Sequence, residues 1–418
     1  MQNKAVTKIQ AAIIAVIIII AAVGGVVYFL IFANPPTQLP PKDKIVIGYA
    51  ASLSGAYSSG EIPKQKTVFD ILVEDWNAKG GIYVPEYNKR LPIEGKIEDA
   101  KSDIETYVRL VEKFLTVDNV DLLFSCYGTA SHYAVSPLLE KYKCPMITIT
   151  ATSDKLTASI LKGEVTYLFP IQRSPATISA DVADFLKSAG AKKVGLIYIL
   201  ELFGIETASA LYGELVDRKM RPVVYEGYPM GVSDLSPLIK KLKDNEVDAM
   251  VAYHYPADGI LLIRQCIELD YSPTIWIGGD GIDMPAVIIP NFGTDKPKGM
   301  ITPFGFCSYD TNATAPFAQK YKERIKYYPA PHLITLYVAY DAMFKLIEKY
   351  GLNKEKIRDI LATETFATIL GDARFDAEKG FVYPGRGALA QWQGGEKLVV
   401  IWPSSVASAS WIPKPPWP

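Results

Sequence analysis

Histidine and cysteine are scarce in this chain of 418 residues, with three of the first and four of the second. His132, His254 and His332 are far apart, so no clustered ligand set for a metal stands out. The cysteines, at 126, 144, 266 and 307, form no CxxC pair, which removes the usual zinc and dithiol templates. An excess of charge is missing as well: 44 basic residues face 45 acidic ones, for a net charge of −1. Without a basic stripe or an acidic tail, nucleic acid is not an expected partner. Enzyme motifs are also lacking. No Gly-x-Gly-x-x-Gly opens a helix after a strand, and neither a phosphate-binding Gly-x-x-x-x-Gly-Lys-Ser/Thr nor a Gly-x-Ser-x-Gly elbow occurs. Ser131 and His132 are neighbours, and on one helix adjacent side chains point about 100° apart, so they cannot form a catalytic pair. The sequence therefore gives no reason to expect an enzyme or a cofactor.

Residues 11–33 carry no charge and are dominated by Ile, Ala and Val. As a helix rising ~1.5 Å per residue it spans the ~30 Å hydrocarbon core of a bilayer. Lys4 and Lys8 precede it, so the positive-inside rule keeps residues 1–10 in the cytoplasm and sends the rest out. A cleaved secretory signal is the competing reading. The run exceeds the usual apolar stretch of about 7–15 residues, and it ends in Phe29-Leu30-Ile31-Phe32-Ala33 without a small-x-small site. Lys4-Ala5-Val6-Thr7 resembles the archaeal prepilin-like signals that are cut ahead of a retained helix. Residues 34–43 carry Pro35, Pro36, Pro40 and Pro41, a semi-rigid spacer. Asn312-Ala313-Thr314 is a glycosylation sequon, usable only outside the cell. Residues 404–418 read as a tail that could dock on a partner.

Between linker and tail, strand and helix signals alternate. Residues 44–50 form a short apolar run, and Val68, Ile71, Leu72 and Trp76 then recur at helical spacing. Strands are expected at 91–99, 121–126, 146–150, 193–199, 221–228, 249–253 and 274–277. Helices are expected at 104–115, 131–142, 180–189, 207–219, 235–245 and 259–269. Such alternation predicts parallel sheets covered on both faces. The count exceeds one sheet, so two doubly wound lobes are expected.

In open parallel sheets ligands bind beyond the carboxyl ends of strands. In the first half, three loops in that position carry hydroxyls and backbone N–H groups: 51–60, Tyr127-Gly128-Thr129-Ala130-Ser131 and Ala151-Thr152-Ser153-Asp154. Side by side they suit a carboxylate, although each alone could be an ordinary helix cap. In the second half Asp280 lies in a glycine-rich loop after a strand, where it could meet a ligand ammonium or simply serve the turn. Tyr127, Phe203, Tyr253 and Tyr255 could line a cleft or pack as core.

At these loops the chain resembles the type I periplasmic binding proteins of the leucine/isoleucine/valine-binding kind. The resemblance runs from residue 44 to about residue 402. It is carried by Ile47-Gly48 with Leu53-Ser54-Gly55, by Asn77-Ala78-Lys79-Gly80-Gly81-Ile82 and by residues 147–157. Tyr340-Asp341-Ala342 and the Phe375-Asp376-x-x-x-Gly380 turn add to it. It implies that Thr129 and nearby N–H groups of Tyr127 and Gly128 hold a ligand carboxylate. It implies that Thr150, Ala151 and Thr152 hold an ammonium, that Asp280 closes on that ammonium, and that Phe203 and Tyr255 cover the ligand. Glu61 departs from the pattern near where a pocket aromatic is usual. Arg173 follows Phe169-Pro170 late, and Lys101 replaces a cysteine that could pair with Cys126.

With that resemblance the expected lobes are 44–169 with 303–368 and 170–302 with 369–403, joined by a three-strand hinge; the apolar run at 11–33 is expected to precede them as one transmembrane helix. The expected protein is a monomeric, membrane-anchored extracytoplasmic binder. It would clasp a branched-chain or other amino-acid-like ligand and dock on ABC permease subunits. A receptor ectodomain, a binder of amides, urea or aromatic acids, and an enzyme on the same scaffold are the alternatives.

Overall fold

A short apolar strand, β1 (Ile45–Ala51), begins the folded part of the chain and is almost wholly buried. The structure is a computed structural model that describes Val16, residues 40–304 and residues 311–418. Apart from Val16, the apolar run 11–33 lies outside the described residues, as does Cys307. No helix among the described residues is long and apolar enough to cross a membrane. Residues Asp43–Pro418 form one unit.

The first lobe is built on β1. The strand pairs in parallel with β4 (Ile93–Asp99) and β5 (Leu122–Leu123), in the order β4-β1-β5. The hairpin β2 (Ile82–Val84) and β3 (Lys89–Leu91) lies beside it. Its entry explains one sequence signature. Gly81 has φ +89°, and a Cβ there would stand 1.9 Å from the Leu91 carbonyl oxygen, so only glycine fits. Asn77 closes the same corner: it donates to the Ile93 carbonyl at 2.9 Å and accepts the Ile93 N–H at 2.7 Å. The parallel pair β6 (Met146–Thr148) and β7 (Leu168–Pro170) completes the layer. The long helix Leu333–Tyr350 packs across it. From that helix the buried Tyr340 hydroxyl reaches the carbonyls of Leu123 (3.2 Å) and Ile147 (2.9 Å), tying β5 to β6.

The second lobe holds β8 (Val194–Ile199), β9 (Val224–Tyr228), β10 (Ala249–Tyr253), β11 (Ile275–Gly278) and β12 (Met300–Thr302). These five are parallel. A small antiparallel sheet follows: β13 (Phe366–Thr368), β14 (Gly371–Asp376) and β15 (Gly380–Val382). The chain then returns as β16 (Leu389–Trp392), which adds antiparallel to β12, and β17 (Leu398–Trp402), which adds antiparallel to β16. The full order is β17-β16-β12-β11-β10-β8-β9.

Several details differ from the sequence expectation. The strand foreseen at 121–126 narrows to two residues. After Phe124 donates to Gly48 O, the Cys126 carbonyl accepts from the Gln65 and Thr150 side chains instead of extending a ladder. The helix foreseen at 207–219 starts at Leu202, because the Glu201 carboxylate caps it through the Phe203 N–H at 2.9 Å. Ala373, Phe381 and Tyr383 pack in the first lobe's core, since these short strands bury few side chains of their own. Residues 404–418 are no free tail: Lys414 donates its N–H to Thr274 O at 2.8 Å, and Trp417 donates to Tyr271 O at 2.8 Å. Cys126, Cys144 and Cys266 are buried free thiols.

Candidate functional site

The lobes meet where the loops after β1, β5 and β6 face the loops after β8, β10 and β11. On the first-lobe side, the helical turn Ser58–Glu61 passes into a π-helical turn, Ile62–Lys66. Glu61, Lys64 and Gln65 share one face at i, i+3 and i+4, and all three are buried. A π-turn inside a helix is a frequent mark of functional sites.

Glu61 accepts the Tyr49 hydroxyl, the Ser52 N–H at 3.1 Å and the Tyr127 N–H at 2.8 Å. Burial drives its pKa up to about 7, although those three donors oppose the rise. Glu61 therefore positions Tyr127 and does not line the cavity. Gln65 holds the end of β5 by donating to Cys126 O at 3.0 Å. Lys64 meets Asp280 from the other lobe and lies 3.5 Å from Asp283. Burial alone would lower the lysine pKa, but the charges of Asp280 and Asp283 outweigh it and hold the ammonium above its ordinary value.

Gly128 adopts φ +99° just ahead of the helix Thr129–Tyr142, a conformation that favours glycine. Its N–H donates to the Thr150 hydroxyl at 3.2 Å. The Thr129 hydroxyl donates to the Thr150 carbonyl at 2.9 Å and accepts the Thr152 N–H at 3.2 Å. Groups expected to hold a ligand's two ends thus brace one another across the β5 and β6 loops. Ser153 caps the helix Asp154–Leu161 through the Leu156 N–H at 3.1 Å. In the first loop Ser54 bonds Asp99 at 2.6 Å, so its hydroxyl is spent within its own lobe.

The second lobe contributes aromatics and acid. Tyr255 stacks near Phe203 (5.6 Å between ring centroids), Tyr57 (5.2 Å) and Tyr127 (5.6 Å). Its hydroxyl donates to Glu201 at 2.7 Å. Asp280 accepts the Tyr127 hydroxyl and the Gly281 N–H (3.0 Å) besides Lys64. Asp283 accepts the Gly281 N–H at 2.9 Å and lies 3.1 Å from His332 Nδ1.

These groups enclose a cavity of about 30 Å³, room for little more than a water or two. A larger occupant must enter with the lobes apart. Thr129, Thr150, Thr152, Phe203, Tyr255 and Asp280, all foreseen, line it; Tyr127, Gly128 and Ala151, also foreseen, are not among its lining residues. Lys64, Ile149, Gln172, Phe304 and His332 also line it and were not foreseen. The spacing Glu61, Lys64, Gln65 after the first loop could have signalled Lys64. Phe304 and His332 are remote in sequence and carry no local signal. Among the described residues no group of acidic, histidine or cysteine side chains is placed to hold a metal.

Comparison with known proteins agrees with this fold. A family profile described as periplasmic binding protein matches residues 44–397. A leucine/isoleucine/valine-binding protein homolog 8 of Brucella melitensis is 25% identical over 360 residues, covering 81% of this chain and 86% of its own. The solved branched-chain amino acid transporter substrate-binding protein LivJ of Streptococcus pneumoniae, in complex with isoleucine, superposes with a TM-score of 0.70. It shares 19% identity and covers 86% of this chain and 100% of its own. A solute-binding protein of an R. palustris ABC transporter, in complex with benzoate, gives a TM-score of 0.70 at 14% identity, covering 90% and 97%. The fold is the two-lobed type I arrangement, and the chain belongs to the periplasmic binding protein family, whose members bind solutes and are not enzymes.

Proposed function

We propose that this protein is the extracytoplasmic substrate-binding component of an ABC importer, clasping a small carboxylate of the amino-acid or aromatic-acid kind between its lobes. One observation carries the reading: the inter-lobe cavity is lined from one side by Thr129, Thr150 and Thr152 and from the other by Phe203, Tyr255 and Asp280. The start of the helix Thr129–Tyr142 supplies backbone N–H groups and a positive dipole end for the carboxylate. Relatives named for leucine, isoleucine and valine binding, and one bound to benzoate, support that ligand range. Closure joins two half-sites, so the closed form binds more tightly than the open one. That closed form is what permease subunits would engage, with the binding protein acting as a monomer.

The reading includes an anchor. Residues 11–33 would hold the protein in the cell membrane, residues 1–10 would stay in the cytoplasm, and the proline-rich 34–43 would space the body outside, as in the archaeal-type arrangement that Lys4-Ala5-Val6-Thr7 resembles. Asn312, on an exposed turn, would then be open to glycosylation. Two experiments test these points. Calorimetric titration of the full chain with a panel of carboxylates should give one-to-one binding; no heat with any of them rejects the ligand reading. Protease added to intact cells should release the folded body by cutting within 34–43; a protected body rejects the outward orientation.

A further inference from the structure

The inference rests on the solute-binding reading and narrows its ligand. Asp280 is the acid that the family resemblance assigns to a ligand's ammonium, yet its oxygens are already engaged. One meets Lys64 Nζ and accepts the Gly281 N–H at 3.0 Å; the other accepts the Tyr127 hydroxyl. Lys64 arrives from the opposite lobe and is only 1% exposed. The neighbouring carboxylate, Asp283, is held as well: it has the Gly281 N–H at 2.9 Å, His332 Nδ1 at 3.1 Å and Lys64 at 3.5 Å.

We propose that Lys64 takes the place of the ligand ammonium, so that this protein selects organic acids without an α-amino group, such as 2-oxo acids and aromatic acids. An amino acid placed with its carboxylate toward Thr129 would bring its ammonium against Lys64 in a desolvated cleft. Like charges there repel with little screening. An amine-free acid meets no such conflict. A lysine ammonium has three donors; two are directed at Asp280 and Asp283, and the third serves an acceptor in the cavity that Lys64 lines. Ile149, Phe203, Phe304 and Tyr255 offer the remainder of the ligand an apolar and aromatic wall. Glu201 stays out of the cavity lining, held by the Tyr255 hydroxyl at 2.7 Å.

The test is a calorimetric titration of the full chain in mild detergent with matched probes. These are leucine against 4-methyl-2-oxopentanoate, phenylalanine against phenylpyruvate, and benzoate alone. At least one oxo acid should bind 10-fold or more tightly than its amino partner, or benzoate should bind where both amino acids do not. In Lys64→Met, which leaves Asp280 without its cation, the amino acids should gain at least 10-fold over wild type. The wild-type comparison stands by itself if that variant fails to fold. An amino acid that binds wild type as tightly as its oxo partner, or more tightly, overturns the inference while the solute-binding reading survives. Failure of every probe to bind refutes both.

Discussion

Replacing Lys64 by Met removes the ammonium that faces Asp280 and Asp283 from across the lobes and fills its space with an apolar chain of similar length. Both aspartates are buried, at 7% and 0% exposure, so water cannot take over the lost role. Breaking a buried ion pair from one side costs roughly 3–5 kcal/mol. A body of roughly 370 residues unfolds with an entropy near 0.8 kcal/mol per degree, at about 2.1 cal/mol/K per residue. The loss therefore amounts to roughly 4–6 °C in Tm. Differential scanning calorimetry of wild type, Lys64→Met, Asp280→Asn and the double variant measures it. The account expects the double variant to be at least ~2 kcal/mol more stable than the sum of the single losses, as for groups in contact. A Lys64→Met protein within about 1 °C of wild type, or strictly additive losses, would refute the buried latch.

Three further outcomes follow from other parts of the molecule. Glu61, raised by burial to about 7, binds its proton more tightly folded than unfolded. Its share of stability is therefore complete below about pH 4.5 and disappears as pH rises through about 7; at ~1.36 kcal/mol per unit this is about 3 kcal/mol. Urea unfolding from pH 5 to 8 should show this decline, and Glu61→Gln should flatten it. Trp417→Ala loses the hydrogen bond to Tyr271 O and the ring contact with Trp276 at 5.7 Å; a loss of about 1–2 kcal/mol is expected by urea melt, and no loss would mean the tail is not docked. Gly81→Ala forces a Cβ to 1.9 Å from Leu91 O and should destabilise the fold by at least ~2 kcal/mol or abolish expression; a neutral result contradicts the hairpin geometry.

Much of the scaffold was legible because its signals are local. The apolar runs of β1, β8 and β10 and the helical face of Val68, Ile71, Leu72 and Trp76 repeat with the periods of strand and helix. Asn77 to Gly81 could be recognised since a left-handed glycine and a side-chain bracket need those residue types. The cavity-lining loops at 129 and 150–152 were legible for the same reason: they follow strands and begin helices. What escaped depends on distant pairing. Lys64 reads as one basic residue in a charged stretch until the fold brings Asp280 to it, 216 positions away. His332 and Phe304 reach the cavity only through the chain's later crossings. Glu201 caps a helix by a side chain that local propensity does not favour for the task. The apolar segment 11–33 remains a proposal argued from its length and flanking charges.

The central claim is that a small acid binds between the lobes against Thr129. Thermal unfolding of the full chain, with and without the tightest-binding acid at about 100 times its Kd, tests it directly. Wild type should gain about 2.7 kcal/mol, some 3 °C in Tm, and Thr129→Val, which keeps the shape but loses the hydroxyl, should lose most of that gain. An equal shift in both proteins would place the ligand elsewhere and contradict the account.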